Sequence, residues 1–274
     1  MQGGCMDPDL LITSLQNQKV KDTVRLRERG VREKTQMFLI EGYRELLRAF
    51  ENGHPVETLF VCESLFLGVN EPKLISQLKN KGATILFCSE PVFKKLSYRD
   101  RPDGLLAVAP QQHRTLSSFH VDPKRPVLFI VAEAIEKPGN LGTILRSADA
   151  AGVDGIILCD RCTDIHNPNV VRASVGTLFT VPVFEATSEE ALMWLKDNNI
   201  AILAATPSAS VSFTEANLQG SVAIAVGTEQ LGLTKNWMEK ADIQVKIPMH
   251  GLADSLNVAM ATCLLLFEAR RQRT

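Results

Sequence analysis

The chain has 274 residues, of which 45% are apolar and 22% charged, and its 30 Lys and Arg nearly cancel its 31 Asp and Glu. This composition excludes disordered and collagen-like chains, and the length accommodates one large domain or two small ones, each able to bury a core. The longest nearly uncharged apolar stretches, 128–132 and 256–267, fall short of the ~20 residues that span a bilayer, so no membrane partner is expected.

The N-terminus lacks the basic-then-apolar order of a signal peptide, so the six cysteines are expected to be reduced and the chain cytoplasmic. From Lys19 to Lys34, KVKDTVRLRERGVREK carries seven basic and three acidic residues, among them Arg25, Arg27, Arg29 and Arg32. Lys94, Lys95, Arg99 and Arg101 form a second cluster. Such grouping fits a nucleic-acid backbone, whose condensed counterions basic side chains displace; it fits a solvated helix face as well. A helical N-terminal stretch leads into FLIEGYRELLRAF, with Leu46, Leu47 and Phe50 on one face. TLFVC (58–62) and TILFC (84–88) read as strands with the helical pattern EPKLISQLKNKG between them. Residues 1–110 are therefore expected to form a small α/β domain. The polar, proline-containing segment that follows has no period, and 111–126 reads as a linker to a second domain, 127–274.

In that second domain, runs rich in Val and Ile at 127–132, 155–159, 200–205, 222–227 and 243–247 alternate with helices from Asn140, near Glu189 to Asp197, and from Ser255. The alternation predicts an α/β fold with a mostly parallel sheet covered on both faces, whose ligands bind beyond the carboxyl ends of the strands.

Three motifs lie at those ends. In EAIEKPGNLGTILRSADAAG (133–152), Asn140 suits an N-cap, Leu141, Ile144, Leu145 and Ala148 share an apolar stripe, and Gly142, Arg146 and Asp149 share another face. Arg146 then points away from the core, toward a ligand or into a surface pair with Asp149. AVGTEQLGLT (225–234) has the glycine spacing of a P-loop, but Leu233 stands where that loop requires lysine. What remains is a tight turn with one carboxylate, Glu229, after Gly227. A strand-end glycine marks either a close ligand or a positive φ. In the segment 247–272, Ser255 suits an N-cap, and a helix so uniformly apolar from Leu256 to Phe267 belongs in a core or a subunit interface. Free N–H groups beside Ser255 and Asn257 favour an anion, and capping accounts for Asn257 less readily than for Ser255. Cys159 and Cys162 have CxxC spacing without a second pair, and the five histidines are scattered, so no metal is expected. The glycine pattern of a Rossmann nucleotide site is absent.

Taken in order, N-L-G-x-x-x-R, G-x-E-x-x-G-L and I-P-M-x-G-x-x-x-S-L-N-V resemble the three motifs of the SpoU family. These are the TrmH-like RNA ribose 2′-O-methyltransferases of the SPOUT class, and the resemblance covers roughly residues 127–272. The first hundred residues resemble the small α/β substrate-binding domain, similar to an RNA-binding ribosomal protein, that many members carry. The resemblance implies a SPOUT-type sheet with a C-terminal trefoil knot, a homodimer, and S-adenosylmethionine as methyl donor. It implies cofactor contacts at Gly227, Ile247 and Leu256, with Ala205, Thr206 and Met249 nearby, and catalytic surroundings of Asn140, Arg146, Glu229, Ser255 and Asn257. Arg172 is expected to face the RNA together with Arg25, Arg27, Arg29 and Arg32. The implied activity is methylation of a ribose 2′-hydroxyl in structured RNA, ribosomal in preference to transfer RNA. A non-catalytic RNA-binding protein would have no need of Asn140, Arg146 and Asn257 together. Because a guanidinium is a poor base, Arg146 is expected to stabilise a developing alkoxide or to bind the adjacent phosphate.

Overall fold

Two separate sheets form, and a computed structural model describes them over residues 11–160 and 162–273. The chain divides into one unit of residues 1–112 with 166–179 and another of residues 113–165 with 180–274.

The first unit runs β1 (Leu11–Ile12), α1 (Gln18–Arg25), α2 (Arg29–Thr35), β2 (Met37–Glu41), α3 (Tyr43–Glu51), β3 (Thr58–Val61), α4 (Glu71–Asn80), β4 (Thr84–Cys88), α5 (Glu90–Leu96) and β5 (Leu105–Pro110). Its sheet has the order β1-β4-β3-β5-β2, with β5 antiparallel to both neighbours. Alternate residues of β2 serve opposite faces: Phe38 and Ile40 join Leu46, Leu59 and Leu74 on one side, while Leu39 joins Val20, Phe60 and Phe93 on the other. The sequence reading misses β2, because its apolar run merges into the helical pattern of α3. Gly42 separates the two elements. Its φ of +111° is accessible to glycine, and a Cβ there would strike the side chains of Glu45 and Arg99.

The chain continues through β6 (Leu128–Glu133), α6 (Pro138–Ala151), β7 (Gly155–Cys159), α7 (Pro168–Ser174), β8 (Val183–Ala186), α8 (Ser188–Asp197), β9 (Ala201–Ala205), β10 (Val211–Ser212), β11 (Val222–Val226), α9 (Lys235–Lys240), β12 (Ile243–Lys246) and α10 (Val258–Arg273). Of these, α7 belongs to the first unit: Val171 is buried in its core, and the Arg48 guanidinium donates to the Val175 carbonyl. The remaining strands build the second sheet, order β10-β12-β9-β11-β6-β7-β8, and every pair in it is parallel. This is the α/β class with a mostly parallel sheet that the Val- and Ile-rich runs predict. Segment 111–126, expected to be a linker, instead joins the second unit from His113 onward. Leu116 is buried in that unit's core, and Phe119 sets its ring edge-on to Phe129 and Phe184 at 5.1 and 5.7 Å. Two apolar anchors inside a polar stretch escape any periodic pattern.

Candidate active site

Strands β6 and β11 are neighbours with Ala132 opposite Val226, so the loops leaving them run side by side. The loop after β11 is closed on itself: Thr228 and Gly232 exchange backbone hydrogen bonds of 3.1 and 3.0 Å, and Leu231 N donates to Thr228 Oγ1 at 3.0 Å. Its far end is tied down where Thr234 N and Oγ1 each donate to the buried Glu133 carboxylate at 2.7 Å. Gly227 fits this loop for a reason outside the two the sequence suggests. Its φ is not positive, and a Cβ would lie 2.2 Å from Gly232 O and 2.4 Å from Leu233 N, so the first thing a side chain would meet is the protein's own turn.

On this loop Glu229 meets three side chains. Lys137 Nζ forms an ion pair with Oε2, while Asn140 Nδ2 and Asn257 Nδ2 each donate to Oε1 at 2.8 Å. Asn257 Nδ2 also donates to Asn140 Oδ1 at 3.1 Å. Both asparagines correct the expected helix starts. Helix α6 begins two residues earlier, at Pro138, which puts Asn140 inside the first turn and turns its amide toward Glu229. Helix α10 begins at Val258, not Ser255, and Asn257 is its cap: Oδ1 accepts from Ala259 N at 3.0 Å. Capping fixes the orientation of that amide, because an oxygen aimed at the helix leaves the NH2 group aimed at Glu229. The Lys137 ion pair first, then the amide donors, hold the exposed Glu229 carboxyl below the ordinary glutamate range. Lys137 is the member the sequence reading overlooks, since a lysine before an N1 proline carries no signal of its own.

The other expected residues fall differently. Arg146 is exposed on α6 and makes no hydrogen bond or ion pair among the described residues; Asp149, its possible surface partner, accepts from Thr180 Oγ1 instead. Ser255 lies exposed in the loop before α10. Ala205 ends β9, Thr206 N donates to Val245 O at 2.9 Å, and Ile247 and Met249 follow β12 half-buried, with Leu256 exposed beyond them. Because β12, β9 and β11 are adjacent and parallel, Ala205, Thr206, Gly227 and Ile247 share one edge of the sheet. Among the basic residues of the first unit, Arg25, Arg29 and Arg172 are exposed, Arg29 being paired with Glu33. Arg27, half-buried, and Arg32, buried, turn donors toward the protein's own backbone. Arg27 Nη2 donates to the carbonyls of Lys95, Leu96 and Ser97 at the end of α5, and Arg32, 1% exposed, donates to those of Leu26 and Arg27. Burial raises the Cys162 thiol to about 11, and it donates to Ala132 O; Arg161, between the two cysteines, lies outside the described residues.

A parallel sheet whose neighbouring strand ends gather two amides, a carboxylate and a lysine is of the α/β class, in which ligands generally bind beyond the carboxyl ends of the strands. Residues 127–267 match the model of the SpoU rRNA Methylase family, and the chain belongs to that family. Residues 17–107 match the MRM3-like substrate binding domain. The Bacillus subtilis 23S rRNA (guanosine(2553)-2′-O)-methyltransferase RlmP is 31% identical over 259 residues, 94% of this chain and 98% of that protein. An AdoMet-bound rRNA methyltransferase from Sinorhizobium meliloti superimposes with a TM-score of 0.87 at 32% identity, covering 95% of this chain and 97% of that one. An RNA 2′-O ribose methyltransferase of known structure has a TM-score of 0.85 at 44% identity, with 96% and 99% covered.

Two outcomes follow from the loop geometry. NMR titration of the Glu229 carboxyl is expected to fall below the ordinary glutamate value and to move upward in Lys137→Met; a titration unmoved by the substitution contradicts the assigned cause. Because the folded-state value is depressed, the ion pair's contribution to folding is present at neutral pH and fades as pH falls through that value. Gly227→Val is expected to lower stability by about 1–3 kcal/mol in urea melts with no ligand added, since the clash is with the chain's own backbone.

Proposed function

We propose that this chain transfers a methyl group from S-adenosylmethionine to a ribose 2′-hydroxyl of RNA, and that the RNA is ribosomal. The observation that carries the reading is the meeting of Asn140, Glu229 and Asn257, one from each of three motifs spread over 118 residues, at the sheet edge. Family membership and the matched substrate-binding model support it.

The loops leaving β11 and β12 suit an adenosyl group: Leu231, Leu252 and Leu256 stand exposed on them, apolar surface that a ligand would cover. Ala205, Thr206, Gly227, Ile247, Met249 and Leu256 would hold it there. Bound at this edge, S-adenosylmethionine supplies an electrophilic methyl group. Glu229 keeps the two amides oriented, and its depressed pKa makes it a weaker base than an ordinary carboxylate. Asn257 has both N–H groups engaged, whereas Asn140 keeps one in reserve; with Arg146 and Ser255 it forms the set of donors open to a ribose oxygen or phosphate. Arg146, a permanent cation, stabilises the developing alkoxide or binds the adjacent phosphate.

The first unit is the substrate domain, presenting Arg25, Arg29 and Arg172 to RNA. The protein works as a homodimer. Met260, Leu264 and Phe267 stand exposed along one side of α10 while Leu265, Leu266 and Ala269 are buried on the other, and an apolar stripe of that length suits a second copy. A knotted C-terminal chain and a cytoplasmic location complete the reading. No helix among the described residues is long and apolar enough to cross a membrane.

Mapping ribose methylation in total RNA with and without the gene tests the target: one ribosomal site should disappear, and a loss confined to transfer RNA would redirect the assignment. Arg146→Ala should lower methyl transfer by roughly 10²–10³-fold with the melting temperature unchanged, because the side chain supports no part of the fold. Near-normal turnover would remove it from the reaction. Leu264→Lys should convert the dimer to monomer in light scattering.

A further inference from the structure

Lys137 holds the N-cap position of α6, where a side chain ordinarily accepts from the first free N–H groups of a helix, and it caps nothing there. A lysine has no acceptor. Its charge also stands at the positive end of the helix macrodipole, with no acidic residue in the first turn to offset it. For folding alone, serine or aspartate would serve better. The ion pair with Glu229 leaves that balance unchanged, since the Lys137 side chain is 70% exposed and an exposed pair adds little to stability. A residue that opposes its own helix and is committed to one carboxylate points to a task in the site.

The atoms of Glu229 show what the task is. Oε1 accepts from Asn140 Nδ2 and from Asn257 Nδ2, both at 2.8 Å, while Lys137 takes Oε2. A glutamate side chain turns about several bonds, and its terminal torsion is broad, so nothing intrinsic decides which oxygen meets the amides. The hydrogen bonds between Thr228 and Gly232 close the loop backbone and leave the carboxylate to its three partners. Of these, Asn257 is held independently by its cap bond to Ala259 N. The Asn140 side chain is held by Glu229 and Asn257 and, among the described residues, by nothing else. Lys137 supplies the bond on the far oxygen, and with it in place the carboxylate cannot turn over without breaking an ion pair.

We propose that Lys137 is a positioning residue for methyl transfer: by holding Glu229 Oε2 it presents Oε1 to Asn140 and Asn257, and so directs the Asn140 N–H that remains for substrate. The proposal rests on the methyltransferase reading. It gives the lysine a part in turnover without contact to RNA or cofactor, through a chain of bonds that runs from Lys137 to Glu229 and on to Asn140.

The test compares the full chain with Lys137→Met and Lys137→Arg. Methyl transfer from S-adenosylmethionine is followed on ribosomal RNA isolated from cells lacking the gene. The side-chain amide signals of Asn140 and Asn257, assigned by substituting each asparagine in turn, are recorded by NMR without RNA. Lys137→Met should lower kcat roughly tenfold to a hundredfold while KM for RNA stays within about twofold. Both amide signals should move, and the melting temperature should be unchanged or higher, because a cation leaves the helix N-terminus. Lys137→Arg keeps a cation for Oε2 and should restore most of kcat and both signals. A rise in KM at unchanged kcat overturns the proposal and makes Lys137 an RNA contact. Amide signals unmoved in Lys137→Met, or Lys137→Arg as slow as Lys137→Met, overturn the positioning, and a melting temperature lowered as by a core substitution assigns the residue to the fold instead. Each of these leaves the methyltransferase reading standing. Failure of the unsubstituted chain to methylate either ribosomal or transfer RNA overturns that reading, and the proposal with it.

Discussion

Both oxygens of the buried Glu133 carboxylate are taken up by Thr234, one by its amide and one by its hydroxyl. A carboxylate withdrawn from water requires such partners, and meeting that requirement fixes the far end of the loop that carries Glu229. The near end is fixed by β11, paired in register with β6, the strand that Glu133 itself terminates. Glu229 is thus suspended between two points that depend on the same strand, and Lys137 and Asn140 reach it because α6 starts a few residues beyond that strand. The Trp237 indole and Asp160 both bond Ser188, which carries the same polar layer toward α8 and α9 beneath the strand ends.

Within this frame the chemistry of the site is set by which hydrogen bonds are already formed. Asn257 serves a helix with its oxygen and a carboxylate with its nitrogen, a division that only an amide can make. Aspartate would cap as well, but it would set a second negative charge against Glu229. Asn140, Glu229 and Asn257 are accordingly aligned on one another before any ligand arrives.

The parallel sheet was legible in the sequence because strands buried on both faces read as continuous runs of Val, Ile and Ala, and a run needs no partner to be recognised. Strand β2 was hidden, since four apolar residues and Glu41, joined to a helix by one glycine, look like the start of that helix. The arginines divide for a related reason. Arg25, Arg27, Arg29 and Arg32 are alike in sequence, yet two of them point at carbonyls left over where a helix or turn ends, and such carbonyls exist only after the chain has folded. Asn140, Glu229 and Asn257 could be singled out by type and spacing, whereas their mutual contact, and the part Lys137 takes in it, depended on two helices starting two or three residues away from where their caps suggested.

Helix α7 carries a consequence for how this architecture can change over time. The chain leaves the first unit after residue 112, returns to it for residues 166–179 and departs again, so neither unit is a contiguous stretch of polypeptide. Recombination at one junction would deliver a first unit lacking Val171 from its core, and a second unit still carrying a helix that belongs elsewhere. Modules joined by one peptide bond come apart at a single cut; these two are stitched, with the chain passing between them three times.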